Sequence, residues 1–296
     1  MTLESLIMLT VKGSIILNVI VIGLSATLDD ALFLFRRPAK LAKAFLAMNV
    51  VMPVFAVLLV LMFDLHQAVK IALLTLSLSP VPPVFPNQAS KAGGREGYTI
   101  GLLVAMALIA MVYVPVTLAG LGRVLSVDLG SVARAIGLLL FQTVLAPLAV
   151  GIALRALGPA FVDRILSPLS KVALLLLAAG VLPILFAAFP AIKALIGNGT
   201  LLALVAFVAV GHVAGHWLGG PNADDRAVLA IATALRHPGV ALALAAANVP
   251  EQKLTMAAVL LFMLVNVAVN LPYAYWVKRR NHPALAVGQV GAAQPR

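Results

Sequence analysis

An arginine stands within an apolar stretch of this sequence, in the run Arg236-His237-Pro238-Gly239. If that stretch crosses a bilayer, the charge costs at least ~2.5–3.5 kcal/mol, so the residue is a candidate for function. Pro238 lacks a backbone N–H and cannot continue a helix, but it favours the first position of a new one. The start of that new helix would place a partial positive charge beside the guanidinium. The run therefore predicts a helix break that attracts an anion.

A second break is predicted where four prolines fall between Pro80 and Pro86, directly before Asn87. Each proline interrupts helical hydrogen bonding, and backbone freed at membrane depth is tolerated only where it is buried in protein or lines a cavity. Asn87 offers two donors and an acceptor to the opposite break, or it caps its own half-helix. We place Arg236, His237, Asn87, Pro238 and Gly239 at a candidate binding site where the two breaks meet.

The chemistry of this site leaves two roles open for each basic residue. Arg236 either contacts an anionic substrate directly or acts as a fixed internal cation that donates to carbonyls freed at the half-helix ends. His237 either carries a coupling proton, since imidazole titrates near neutral pH, or stays neutral and bonded to backbone. The ten acidic residues all fall at the ends of apolar runs or between them. We therefore expect no carboxylate partner for Arg236 and no bound metal or organic cofactor, with sodium or proton coupling still possible.

Two further histidines, His212 and His216, are four residues apart and share one helix face. Two histidines without an acidic neighbour are a weak metal signal. Gly211, Gly215 and Gly219 repeat at the same spacing, which is typical of close helix packing between membrane spans. Packing is the interpretation that we adopt for this face.

The elements that must position these residues are membrane helices. The chain has 296 residues, of which 62% are hydrophobic and only 10% charged, against about 25% charged in soluble domains. We predict an all-α polytopic membrane protein, residues 1–280 forming a single bundle and 281–296 a disordered cytoplasmic tail. About nine runs are long enough to cross a bilayer: 5–26, 40–63, 67–92, 97–120, 131–155, 165–189, 196–218, 225–249 and 254–277.

Basic residues set the expected orientation. The net charge of +11 does not indicate nucleic-acid binding, because the basic residues fall between apolar runs. Fourteen of them lie after odd-numbered spans or in the tail, against five on the other side. By the positive-inside rule this bias places the C-terminus in the cytoplasm and the N-terminus outside, in a cell (inner) membrane.

The two predicted breaks lie in the third and eighth spans. They are five spans apart, an odd number, so the second unit runs through the membrane opposite to the first. Interrupted helices at matching positions of an inverted repeat indicate a transport site. The sequence contains no cysteine, no Walker loop, no nucleophile elbow and no H-E-x-x-H motif. We therefore do not expect an enzyme or an ATP-driven pump.

Three stretches resemble the bile acid:sodium symporter family: Gly23 to Pro38, Val51 to Pro53, and Pro238 to Gln252. The resemblance implies a core domain, a panel domain and two crossing helices in the core. Nine spans match members that lack the first of ten helices. The family moves organic anions, including bile acids, pantoate-like acids and keto acids.

The sequence departs from this family where sodium would bind. The family's glutamate and glutamine ligands align with Ala232 and Arg236, and its hydroxyl ligands on the fourth span align with Ala107, Ala110 and Met111. The expected function is thus secondary transport of a small organic anion by alternating access, with sodium coupling in question. The alternatives are a conventional sodium-coupled symporter and a non-transporting membrane sensor or scaffold. The expected partners are the anion and the lipid bilayer; no oligomeric state is predicted.

Overall fold

The structure, a computed structural model, describes residues 3–125, 130–246 and 252–281. Every regular element in these ranges is a helix. The α-helices are α1 (Leu3–Ser25), α2 (Leu28–Ala31), α3 (Pro38–Phe45), α4 (Met52–Met62), α5 (Gln67–Leu78), α6 (Phe85–Lys91), α7 (Glu96–Leu125), α8 (Gly130–Leu140), α9 (Ala146–Leu157), α10 (Pro159–Ala194), α11 (Thr200–Leu218), α12 (Ala223–Ala234), α13 (Pro238–Ala246) and α14 (Gln252–Asn281). Two π-helical segments, Leu46–Val51 and Phe141–Leu145, join α3 to α4 and α8 to α9.

The predicted polytopic architecture is confirmed in the described ranges. Eight helical stretches are long and apolar enough to cross a membrane, and α5 is a shorter apolar helix. The third span is α5 followed by α6, because the proline run ends α5 at Leu78. The short helix α2 was not expected; Thr27 and Asp30 start it with a capping box. Of the predicted tail, residues 282–296 lie outside the described residues.

The helices pack in two groups, and α1, α9 and α10 form the first. The contact between α1 and α9 is backbone to backbone, since a Cβ on Gly23 would lie 2.5 Å from the carbonyl oxygen of Leu148. Asn18 Nδ2 donates to the carbonyl of Ala173 on α10 at 3.2 Å, so this polar side chain bonds a neighbouring helix. The family resemblance implies a panel domain, and its assignment to this group stays a prediction.

The second group includes α5, α6 and α11–α14, and its tightest contact joins α11 to α12. A Cβ on Gly211, Gly215 or Gly219 would lie 2.8 Å or less from the backbone of α12; for Gly215 the nearest atom is Ala230 Cα at 2.5 Å. The packing interpretation of this glycine face is therefore confirmed. The contact fixes α12, the helix that leads to Arg236.

Proline accounts for both π-helical segments. Pro53 and Pro147 follow them in sequence, and a proline removes the donor that would close the preceding turn. The widened turn that results leaves carbonyl groups open to donors from other helices. The segment before Pro53 supplies one of the contacts of Arg236.

Candidate functional site

The break in the third span is a non-helical stretch between α5 and α6. Its first residue, Ser79, has an extended backbone conformation. Both the backbone N–H and the side-chain Oγ of Ser79 donate to the carbonyl of Leu76, at 3.0 Å and 2.8 Å respectively. Pro80, Pro82 and Pro83 follow, and prolines cannot donate to the turn before them. The carbonyls of Ser79 and Pro80 therefore need donors from elsewhere in the bundle.

The break in the eighth span separates α12 from α13. The predicted start of the second half-helix at Pro238 is confirmed. Because Pro238 has no N–H, the carbonyl of Ala234 four residues earlier cannot form its helical bond. Asn266 on α14 fills that place: its Nδ2 donates to the Ala234 carbonyl at 2.9 Å, and its side chain is buried.

The two breaks meet, as the sequence predicts. The backbone N–H of His237 donates to the carbonyl of Pro80 at 2.9 Å and to Ser79 Oγ at 3.1 Å. On either side of this point α13 packs on α5 and α12 packs on α6. The halves of the two broken spans thus cross, with the residues of each break facing the other.

The guanidinium of Arg236 lies at the centre of this crossing and is only 2% exposed. Nη1 donates to the Ser79 carbonyl at 3.2 Å, and Nη2 donates to the Met48 carbonyl at 3.1 Å. Met48 belongs to the π-helical segment whose carbonyls Pro53 leaves open, and the adjacent Asn49 carbonyl accepts from Tyr113 Oη at 2.9 Å. Arg236 therefore ties together backbone from the second, third and eighth spans.

No ion pair with Arg236 occurs among the described residues. Its two bonds go to neutral carbonyls, and its Nε is buried without a hydrogen-bond partner. The described acidic residues lie in loops or near helix ends, as expected; Asp128 and Glu251 lie outside the described residues. The crossing thus holds a buried positive charge that no described carboxylate neutralises.

His237 is also buried at the crossing. Its Nδ1 accepts a hydrogen bond from the backbone N–H of Val240 at 3.4 Å, while its Nε2 is buried without a partner. Pro238 and Gly239 are half-buried in the first turn of α13. This imidazole therefore has a free ring nitrogen beside the positive N-terminal end of a helix.

Asn87 differs from the other predicted site residues. It lies on α6, which begins at Phe85, two residues earlier than expected, and its side chain is exposed. No hydrogen bond joins Asn87 to Arg236 or His237 in the described structure. Its neighbour Gln88 bonds instead, accepting from Asn270 Nδ2.

Sequence reasoning overlooked the polar face of the ninth span, α14. Asn266 holds the break in the eighth span, and Asn270 bonds both Gln88 and His212 Nε2, the latter at 2.9 Å. Tyr273 follows at the next position of the same face and bonds His216 Nδ1 at 2.9 Å. The spacing of four and then three residues on an otherwise apolar helix is the signal that could have found this face.

Four of the five positions aligned with the family's sodium ligands hold apolar side chains, and the fifth is Arg236. Ala107, Ala110 and Ala232 are buried in one hydrophobic cluster, and Met111 packs against it. Sodium prefers oxygen ligands, and none of these four side chains carries one. The residues present do not fit a sodium site built from those side chains.

Comparison with known proteins agrees with this architecture. The model of the sodium bile acid symporter family matches residues 14–195, which is more than half of the chain and includes the break between α5 and α6. The break that holds Arg236 lies beyond the matched residues. No curated protein gives a significant match. This chain, a multi-pass membrane protein, belongs to the sodium bile acid symporter family.

Proposed function

We propose that this protein is a secondary transporter of a small organic anion, which it binds where the two broken spans cross. The observation that carries the proposal is the buried guanidinium of Arg236, which has neutral hydrogen-bond partners and no described carboxylate. The N-terminal end of α13 adds a second positive feature two residues away. An anion would neutralise a charge that the fold otherwise leaves uncompensated.

The crossing also retains unused hydrogen-bonding capacity. Arg236 Nε, His237 Nε2 and Asn266 Oδ1 are all buried without partners. Buried polar atoms are normally satisfied, so three such atoms, two in the break and one on α14 beside it, support a polar ligand there. A carboxylate could accept from the guanidinium, which has five N–H donors and uses only two of its nitrogens here.

Transport requires that this closed site open to each side of the membrane in turn. Arg236 and His237 are both nearly inaccessible in this conformation. Motion of the second helix group against the panel of α1, α9 and α10 would expose the crossing without breaking the packing of α11 on α12. Rigid-body movement around a fixed site is the usual way for inverted-repeat transporters to alternate access.

We further propose that sodium does not drive this transporter through the family's side-chain ligands. Alanines occupy three of those positions, and the guanidinium donates to the Ser79 carbonyl at one break and to the Met48 carbonyl of the π-helical segment in the second span. A fixed cation at those carbonyls would take the electrostatic role of a bound ion. The family name favours a second candidate, a sodium-coupled symporter whose ion binds only neutral groups and carbonyls.

A thermal-shift screen of organic anions on the purified protein tests the proposed site. A true ligand stabilises the folded state by RT ln(1 + [L]/Kd), about 2.7 kcal/mol at a hundred times Kd. We expect bile acids or short carboxylic acids among the hits, and we expect Arg236→Ala to lose the shift. Arg36→Ala, which removes an exposed arginine, is the matched control and should keep it.

The screen has two further outcomes of interest. If Arg236→Ala does not fold, Arg236→Lys serves instead. It retains a positive charge but lacks the paired N–H donors of the guanidinium, so it should bind the same anions more weakly. Hits that stabilise wild type and Arg236→Ala equally would overturn the assignment of the site. Ligand binding without flux in reconstituted vesicles would instead favour a sensor over a transporter.

A further inference from the structure

A basic cavity lies away from the crossing, between the ends of α11 and α14 and the start of α12. It has a volume of about 210 Å³ including its open mouth, and His216, Arg226, Trp276 and Arg280 are among its lining residues. Arg226 is eight residues before the end of α12 at Ala234, so roughly 12 Å of helix separates the cavity from the break. The two sites are therefore distinct.

The cavity offers hydrogen-bond donors. Arg226 Nε is buried without a partner, and the base of this side chain is held by α11, since a Cβ on Gly219 would lie 2.5 Å from Arg226 Cα.

His216 Nδ1 is bonded to Tyr273 Oη at 2.9 Å. When the phenol donates to Nδ1, the imidazole proton sits on Nε2, which is left to donate. The guanidinium of Arg280 lies 5.4 Å from the ring centroid of Trp276, which holds the second positive charge at the cavity.

No carboxylate lines this cavity in the described structure. Two acidic residues, Asp224 and Asp225, lie in the first turn of α12. Asp225 forms an ion pair with Lys40 of α3, and Asp224 does not line the cavity. The balance of charge inside the cavity is therefore positive, and an anion would complete it.

The surroundings of the cavity are those of a membrane interface. Trp217 and Tyr275 are 82% and 59% exposed, beside the cavity residues His216 and Trp276, and such aromatic side chains gather at the level of lipid headgroups. The lipid-facing sides of the same helices are apolar, with Val213 and Leu271 exposed on α11 and α14. A phospholipid whose headgroup occupies the cavity could thus place its acyl chains along these two helices.

We propose that this cavity binds the phosphate of an anionic phospholipid headgroup. Much of this volume is open mouth rather than enclosed space, so the cavity suits a small charged group at its mouth better than a complete substrate. Basic pockets between membrane helices on the cytoplasmic side are known to suit such headgroups. The lipid would link α11, α12 and α14, and so would brace the helix that leads to Arg236.

Thermal unfolding in nanodiscs tests this proposal. We expect the wild-type protein to unfold at a higher temperature in phosphatidylglycerol than in phosphatidylcholine. Arg226→Gln/Arg280→Gln should lose most of that difference. The matched control is Arg164→Gln/Arg279→Gln, which removes two arginines near the same ends of the bundle but outside the cavity; it should keep the difference.

Inorganic phosphate, added to nanodiscs of phosphatidylcholine, separates a lipid from a free anion. The proposal expects little stabilisation by phosphate alone. Stabilisation by phosphate that depends on Arg226, with none by phosphatidylglycerol, would overturn the assignment to a lipid. Equal lipid dependence in the cavity variant and the control would overturn the site itself. If the double variant does not fold, Arg280→Gln alone, at an exposed residue, should reduce phosphatidylglycerol retention in native mass spectrometry.

Discussion

Gly215 is the position at which packing most directly controls the crossing. A Cβ added there would lie 2.5 Å from Ala230 Cα and 2.5 Å from the Leu229 carbonyl, about 0.9 Å closer than the 3.4 Å at which ordinary contact begins. Both atoms are backbone, so no side-chain rotation relieves the clash, and α11 and α12 must separate. Overpacking of this kind costs about 1–3 kcal/mol, partly offset by roughly 0.5–1 kcal/mol of helix propensity.

The same displacement should reach the guanidinium. Arg236 follows α12 directly, and its bonds to Ser79 and Met48 are already 3.2 and 3.1 Å long. A shift of about 0.9 Å would carry one or both beyond hydrogen-bonding distance. We therefore expect Gly215→Ala to lower the free energy of unfolding by about 0.5–2 kcal/mol and to weaken anion binding as well.

Thermal unfolding with and without a bound anion measures both effects in one experiment. Gly137→Ala is the matched control, because no atom lies within 4 Å of a Cβ at Gly137; it should be neutral or slightly stabilising. If Gly215→Ala is as stable as Gly137→Ala and binds anions like wild type, the close contact of α11 with α12 does not position the site.

Three other substitutions test the hydrogen bonds around the crossing. Asn266→Leu leaves the buried Ala234 carbonyl without its donor and should lower stability by about 1–3 kcal/mol, whereas Asn281→Leu, on the same helix at its far end, should not. Tyr113→Phe removes the bond to the Asn49 carbonyl and should cost about 1 kcal/mol in a chemical or thermal unfolding assay. Lys40→Met leaves the buried carboxylate of Asp225 unpaired and should cost about 3–5 kcal/mol; a cost below that of Asp225→Asn would contradict the importance of this ion pair.

Much of the fold follows from local sequence features. Long apolar runs predict spans because lipid excludes charge, and the prolines at 80–86 and at 238 predict both breaks because proline lacks a backbone donor. The spacing of Gly211, Gly215 and Gly219 predicts a close helix contact. Each of these inferences uses only residues near one another in the chain.

The partners across the bundle could not be predicted in this way. The sequence places Arg236 at a break, but it does not show that Ser79 and Met48 accept its hydrogen bonds, because these residues are 157 and 188 positions away. The roles of Asn266 and Tyr113 likewise depend on which helices meet. The position of Asn87 beside the proline run predicts a site role, yet its exposure depends on how α6 is turned, which the sequence pattern does not fix.

Anion uptake into proteoliposomes, with internal and external sodium replaced by potassium, tests the central claim most directly. The transported anion in this assay is one that stabilises the purified protein. We predict that the wild-type protein takes it up saturably and at the same rate in either salt. Arg236→Gln removes the charge-assisted donors and should reduce uptake roughly tenfold or more. Uptake that requires sodium and is unchanged in Arg236→Gln would contradict the account.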